Sequence, residues 1–150
     1  MRYLFYLGFL LLTACHQGAR HYDFPTPVDT STREIKLQEK RSWTFPFTGL
    51  TFDNQFDGAR VNQVNQEASN LYQIWIEPEN TPINPSPWYA FRIQAERDKR
   101  FTVHLTYDDN ANHRYFPKVS ADRKNWVPVD TTKVLRNVNG KELYVMLEMK

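Results

Sequence analysis

The sequence has 150 residues, of which 41% are hydrophobic and 15% aromatic. This length fits one domain with its own core, and disordered chains contain few aromatic residues, so most of the chain is expected to fold. The formal net charge is only +2, and the short basic clusters stand beside acidic residues. The sequence therefore lacks the long basic stripe that nucleic-acid binding requires.

The first fourteen residues are predicted to be a signal peptide. Arg2 gives a positively charged start and residues 3–12 are largely apolar, a segment much shorter than the roughly twenty residues of a membrane-spanning helix. The segment ends in Leu12-Thr13-Ala14-Cys15, which resembles the lipobox of bacterial lipoproteins. The resemblance implies cleavage before Cys15 and attachment of acyl chains such as palmitate to this residue. The alternative is an ordinary secretory signal in which the cysteine occurs by chance.

A lipid on Cys15 would anchor the protein to a membrane of the bacterial cell envelope. Each buried methylene group contributes about 0.8 kcal/mol, so several acyl chains make a durable anchor. His16 stands where an aspartate would be linked to retention in the inner membrane, and this favours the outer membrane. Residues 15–33 include Pro25, Pro27 and a polar run and are predicted to be a flexible tether. The folded domain is then expected over residues 34–150.

Alternating apolar residues in the rest of the chain predict β-strands. Ile35 and Leu37 begin the first run, and Trp43, Phe45 and Phe47 alternate around Pro46, which favours a sheet edge. Further strands are predicted at residues 59–64 after a turn at Gly58, 71–76, 88–95, 101–107, 115–119, 126–127 and 143–149. The turn at 96–100 is expected to join two of these strands into a hairpin whose core residues are Phe91, Ile93, Phe101, Val103 and Leu105. Seven to nine short strands predict an all-β fold, an antiparallel two-sheet β-sandwich.

No catalytic or metal-binding motif is evident in the sequence. His104 is predicted on the polar face of its strand and His113 in a loop, and neither has the close partner that a zinc site shows at short spacing. Asp108 and Asp109 are expected to be solvated turn residues. We therefore expect no metal and no cofactor. Four aromatic residues could form a sugar-stacking platform but are more often core residues: Trp75, Trp88, Tyr89 and Trp126.

Four segments in order resemble one known domain: residues 52–60, 72–80, 88–93 and 115–122, followed by Trp126. The resemblance is to the β-sandwich that precedes the catalytic domain in zinc metallocarboxypeptidases of the cytosolic-carboxypeptidase-like branch, and it covers residues 45–150. The positions that carry it, interpreted as structural, are Phe52, Phe56, Asp57, Gly58, Arg60, Pro78, Trp88, Phe91, Arg92, Pro117, Ser120, Asp122 and Trp126.

The resemblance implies a partner, because in that family the catalytic domain follows the sandwich. The catalytic domain binds zinc through His-x-x-Glu and a distant histidine, and this sequence has no such pattern. We therefore expect a non-catalytic accessory domain of a truncated or split carboxypeptidase-like lipoprotein, inactive by itself, whose partners are the membrane and a metallocarboxypeptidase catalytic domain. The alternative is a membrane-anchored β-sandwich lipoprotein that binds carbohydrate or peptide. A hydrolase is disfavoured because the zinc ligands are missing.

Overall fold

A computed structural model describes residue 23 and residues 25–27, 38–77, 88–107 and 111–150. The described residues from 38 onward belong to one compact unit. The predicted signal peptide, Cys15 and most of the predicted tether lie outside the described residues. Ile35, Leu37, Pro78 and the Asp108-Asp109 pair also lie outside them.

Two β-sheets and a small ribbon make up the described part of the domain. A three-stranded antiparallel sheet has the order β1-β2-β5, a five-stranded sheet has the order β3-β4-β6-β10-β9, and β7 pairs with β8. The strands are β1 Ser42–Phe45, β2 Leu50–Asp53, β3 Gln63–Ala68, β4 Leu71–Ile76, β5 Arg92–Ala95, β6 Lys99–Tyr107, β7 Lys118–Val119, β8 Val127–Pro128, β9 Val134–Arg136 and β10 Glu142–Met149. A 3-10 turn, Thr131–Lys133, precedes β9.

The predicted all-β sandwich is confirmed, with two differences. The described residues contain ten strands rather than seven to nine, because the short strands β2 and β9 carry no long alternating pattern. The five-stranded sheet is also mixed rather than antiparallel, since β4 and β6 run parallel. Parallel neighbours need a long connection, and the chain supplies one by adding β5 to the other sheet between them.

The predicted hairpin between residues 88–95 and 101–107 is wrong. β5 pairs with β2, whereas β6 pairs with β4 and β10, so the turn between them carries the chain from one sheet to the other. Alternation shows which face of a strand is buried but not which strand lies beside it. The predicted core is nevertheless confirmed: Phe101, Val103 and Leu105 are buried, and Phe91 and Ile93 pack against them.

The core lies between the sheets and is built on aromatic rings. Phe52 of β2 faces Tyr72 of β4 and Phe101 of β6, with ring centroids 5.1 and 6.3 Å away. Both Phe52 and Tyr72 are fully buried. The Tyr72 hydroxyl donates to Thr48 Oγ1 at 2.7 Å, so its polar end has a partner, as a buried hydroxyl needs.

Some strand boundaries differ from the predictions. The expected strand at 59–64 begins only at Gln63, and Arg60 makes a single bridge to Ala90 instead. β1 is an edge strand as Pro46 suggested, but the alternation fails at Phe47, which is 98% exposed in the following turn. The predicted strands at 71–76 and 143–149 are confirmed as β4 and β10, whereas β5 begins only at Arg92, β7 only at Lys118, and β8 is Val127–Pro128.

Candidate functional site

The loop after β2 is held by one buried amide. The Asn54 side chain is fully buried; its Oδ1 accepts from Arg41 N at 2.6 Å, and its Nδ2 donates to the carbonyls of Glu39 and Val61, each at 2.9 Å. The sequence analysis missed this residue, because an asparagine beside Asp57-Gly58 is indistinguishable from a solvated turn residue. Three backbone segments therefore meet at a side chain that was not singled out.

An ion pair links β2 to β5 at one end of their pairing. Arg92 of β5 pairs with Asp53 of β2, and the Asp53 Oδ1 also accepts from Gln55 N at 2.5 Å. Desolvation by burial opposes ionisation of Asp53, but the hydrogen bonds from Gln55 and Arg92 and the Arg92 charge outweigh it and lower its pKa. The Arg92 guanidinium also lies 6.0 Å from the centre of the Phe56 ring. Arg92 and Phe56, two positions of the resemblance, thus contact other side chains of the domain.

Two further positions in the first segment of the resemblance, residues 52–60, also stabilise the loop after β2. Arg60 is buried, and its Nε donates to the Glu77 carbonyl at 3.2 Å. Gly58 has a φ of +74°, a conformation that favours glycine over other residues. Its carbonyl accepts from Trp88 Nε1 at 3.3 Å. Asp57 is exposed and Phe56 half-buried.

The fourth segment of the resemblance, residues 115–122, leads into the β7–β8 ribbon, which is closed by a tight turn around Asp122. Its Oδ1 accepts from Ser120 Oγ, Lys124 N and Asn125 N at 2.9, 2.8 and 2.7 Å, and its Oδ2 accepts from Asn125 Nδ2 at 2.6 Å. These hydrogen bonds hold the pKa of Asp122 well below its usual value. The turn places Arg123 at a φ of +63°. Pro117 is buried at the base of the ribbon.

The ribbon and the residues flanking it, 114–128, form a surface that we call the finger. Its large apolar side chains are exposed: Tyr115 by 55%, Phe116 by 45%, Val119 by 39%, Trp126 by 55% and Val127 by 58%. The same segment contains the exposed cations Arg114, Lys118, Arg123 and Lys124, and Asp122 is its one acidic residue. The finger is therefore both apolar and basic.

Both histidines of the domain are buried, which corrects the expectation that they lie at the surface. His104 of β6 is 6% exposed and stacks on Tyr144 of β10, with ring centroids 4.2 Å apart. Its Nδ1 lies 3.0 Å from Glu67 Oε2, and its Nε2 lies 3.7 Å from Glu142 Oε1. Burial, followed by the nearby charges of Glu142 and Glu67, raises the pKa of Tyr144. His104 does lie on the outward face, but its neighbours cover it.

His113 is 4% exposed and belongs to a second buried cluster. Its Nδ1 lies 2.8 Å from the Tyr107 hydroxyl, and Arg136 donates to its carbonyl at 2.8 Å. Burial and the nearby Arg136 charge lower the pKa of His113 to about 4, so the ring is neutral at pH 7 and its Nδ1 can accept a hydrogen bond from the Tyr107 hydroxyl. Burial raises the pKa of Tyr89, which stacks on His113, to about 12.

A shallow groove of about 400 Å³ crosses the outer face of the five-stranded sheet. Tyr144 and Met146 alternate with the buried residues of β10, so their side chains point away from the core. Leu135 of β9 lies beside Tyr144 in the register and is 66% exposed. The groove is lined by Ala68, Asn70, Leu71, Thr102, Lys133, Leu135, Tyr144 and Met146.

The four aromatic residues considered for a sugar-stacking platform, Trp75, Trp88, Tyr89 and Trp126, do not share one environment. Trp88 and Trp126 are 51% and 55% exposed, so the preference for a core position is wrong for them. Trp75 and Tyr89 are half-buried. Trp88 and Trp126 both lie outside the strands, so these two exposed rings do not form a stacking platform on a sheet face.

Within residues 38–77, 88–107 and 111–150, no three His, Cys, Asp or Glu side chains come close enough together to hold a metal ion. No helix in the described part of the chain is long and apolar enough to cross a membrane.

Residues 52–148 match a protein-family model described as the cytosolic carboxypeptidase N-terminal domain. The match begins at Phe52, in the centre of the aromatic core, and extends almost to the end of β10. No curated protein and no solved structure matches the chain.

Proposed function

The chain belongs to the cytosolic carboxypeptidase N-terminal domain family, and from this premise we propose that it is an accessory domain that binds a metallocarboxypeptidase catalytic domain. The observation that carries the proposal is the extent of the match, which includes both sheets of the sandwich from β2 to β10. Asn54, Arg60 and Arg92, which lie in the segments of the resemblance, stabilise the sandwich through their hydrogen bonds and ion pair. Such a domain acts by presenting a surface.

We assign the groove on the outer sheet face to this binding. A domain that is N-terminal in its family precedes its partner, so the partner is expected close to the end of the last strand, β10. Met146 lies toward that end, opposite Thr102, which in turn lies beside Leu71 in the register. These three residues and Leu135 line the groove. Exposed apolar area of this kind is what a partner protein covers.

We further propose that the domain is attached to the bacterial cell envelope through a lipid on Cys15, with the outer membrane favoured by His16. Support comes from the sequence alone: the short apolar segment, its basic start, and Leu12-Thr13-Ala14-Cys15 directly after it. The catalytic domain would then work next to a membrane, whether it is encoded on the same chain or on a separate one.

Binding to an isolated metallocarboxypeptidase catalytic domain of the same family tests the accessory role. We expect affinity measurable by isothermal titration calorimetry, and Leu135→Lys/Met146→Lys should weaken it at least tenfold, because charges would enter the apolar contact. Val138→Lys is the matched control, since Val138 is fully exposed and does not line the groove. No affinity of the wild-type chain would contradict the proposal, and an undisturbed double variant would contradict the assigned surface.

A second candidate function is the binding of carbohydrate or peptide, favoured by the exposed Trp88 and Trp126 rings. Aromatic rings stack on sugar rings and on peptide side chains. Titration with glycans and short peptides, read by tryptophan fluorescence, would support this function if Trp126→Ala abolished a saturable change. In either case we expect zinc-loaded protein to release no C-terminal amino acid from peptides. Release that a chelator stops and that His104→Ala abolishes would refute the non-catalytic role.

A further inference from the structure

The finger, residues 114–128, shows an unusual combination of side chains for a surface ribbon. Five large apolar side chains, three of them aromatic, are exposed by 39% to 58%. A ribbon whose strands contain only two residues each would normally be polar, because it has no interior of its own to fill. The exposed rings therefore indicate that the finger contacts a surface outside the domain.

The charge of the finger indicates what kind of surface this is. Arg114, Lys118, Arg123 and Lys124 are exposed, and none of their side chains forms an ion pair or hydrogen bond with another residue in the part of the chain that the structure describes. Asp122, the one acid of the segment, is engaged by hydrogen bonds within the turn. The finger thus presents four unopposed cations among aromatic rings.

From this combination we propose that the finger inserts into the surface of a membrane containing anionic lipids. Tryptophan and tyrosine favour the boundary between headgroups and acyl chains, and clustered lysines and arginines are attracted to anionic headgroups. The turn around Asp122 holds Arg123 and Lys124 at the tip, next to Trp126. Insertion places the rings in the apolar boundary and the cations at the phosphates.

A protein partner fits the finger less well. A stable protein interface buries about 800 Å² on each side and involves some 20–30 residues, more than this segment of fifteen residues contains. A membrane surface needs no matching shape and accepts a narrow projection with both faces exposed. The lipid anchor proposed at Cys15 would keep the finger close to such a surface, although the lipid contact of the finger does not depend on it.

The test follows Trp126 itself, because the apolar segment at residues 3–12 can bind vesicles whatever the finger does. Full-length protein is mixed with vesicles of brominated phosphatidylcholine, with or without one-third brominated phosphatidylglycerol. The signal of Trp126 is the difference between the wild type and Trp126→Phe. We expect the brominated lipid to quench the Trp126 fluorescence, obtained as this difference, only in the anionic vesicles. Salt at 1 M, which shortens the screening length to about 3 Å, should prevent the quenching.

A charge-reversed variant provides the decisive comparison. Arg123→Glu/Lys124→Glu should raise the lipid concentration at which Trp126 is half quenched by a factor of about 20 or more. This factor counts roughly fivefold for each lost cation, before the repulsion of the new carboxylates is added. Arg97→Glu/Lys150→Glu changes the net charge equally at exposed sites outside the finger and should have little effect. Unchanged thermal unfolding of both variants, followed by circular dichroism, would show that they fold.

Two results would overturn the proposal. The first is equal quenching of Trp126 in neutral and anionic vesicles, or quenching that charge reversal leaves unchanged. The second is protection of Trp126 from aqueous acrylamide by a metallocarboxypeptidase catalytic domain, which would make the finger a domain interface instead. Because the groove variant Leu135→Lys/Met146→Lys leaves the finger intact, failure of the catalytic-domain binding and failure of the lipid contact are separately observable.

Discussion

Asn54 offers the sharpest test of how this domain is held together. Its side chain satisfies three backbone groups: Arg41 N–H and the carbonyls of Glu39 and Val61. Replacement by alanine removes all three partners at once. Val61 is fully buried, so water cannot reach its carbonyl, whereas Glu39 and Arg41 lie nearer the surface and water can replace part of what they lose.

The expected destabilisation follows from these differences in burial. A buried polar group left without a partner costs about 1–3 kcal/mol. We assign the full cost to the Val61 carbonyl and a part of it to the other two groups, so Asn54→Ala should lower the free energy of unfolding by about 2–4 kcal/mol. With an m-value near 2 kcal/mol/M, the urea midpoint should fall by about 1–2 M.

Two further variants make the measurement specific. Gln55→Ala is the matched control, since the Gln55 side chain is exposed and, among the described residues, accepts a hydrogen bond only from Ser42 Oγ, at 3.1 Å. It should shift the midpoint by less than about 0.3 M. Asn54→Asp keeps the oxygen that accepts from Arg41 N, but it replaces the donating Nδ2 by an oxygen that faces the carbonyls of Glu39 and Val61. The pKa of the new carboxyl should be raised, so this variant should be least destabilised at low pH and lose stability as the pH rises. An Asn54→Ala midpoint equal to that of Gln55→Ala would refute the reasoning.

Three further predictions concern the core, the buried histidine and the anchor. Phe91→Ala should lower the free energy of unfolding by about 3 kcal/mol, because Phe91 packs against the core while remaining half-buried; a loss below 1 kcal/mol in urea unfolding would contradict its core position. The His113 ring binds a proton below about pH 6.5 in the unfolded chain but only below about pH 4 in the folded one. The free energy of unfolding of the wild type should therefore fall by about 3 kcal/mol as the pH drops through this range. His113→Asn, whose amide can still pair with Tyr107, should not show this fall. Parallel pH profiles of the two proteins would show that His113 does not titrate in this way. Mass spectrometry of protein from bacterial membranes should find an acylated Cys15 as the first residue, and an unmodified Cys15 or retained preceding residues would disprove the lipobox interpretation.

Local patterns account for the parts of the fold that the sequence predicted. The alternation in β6 and β10 puts successive side chains on opposite faces, so Phe101, Val103 and Leu105 could be recognised as core residues without a structure. Turn residues were equally informative: Gly58 has a positive φ, and Ser120, Asp122 and Asn125 close the β7–β8 ribbon through bonds spanning at most three residues. The fold class and the family resemblance follow from such local information.

Only the tertiary structure decided how the strands combine and what surrounds the polar residues. Alternation is the same for two strands that pair and two that face each other across the core, so the separation of β5 from β6 into different sheets could not be read from it. Burial of His104 depends on Tyr144, forty positions along the chain, and burial of Asn54 depends on the carbonyls of Glu39 and Val61. Trp126 is exposed for the same kind of reason, because no distant segment of the described chain packs over its ring. Each of these outcomes is set by contacts between distant segments, which a local pattern does not encode, whereas strand periodicity and turn chemistry arise from neighbours along the chain.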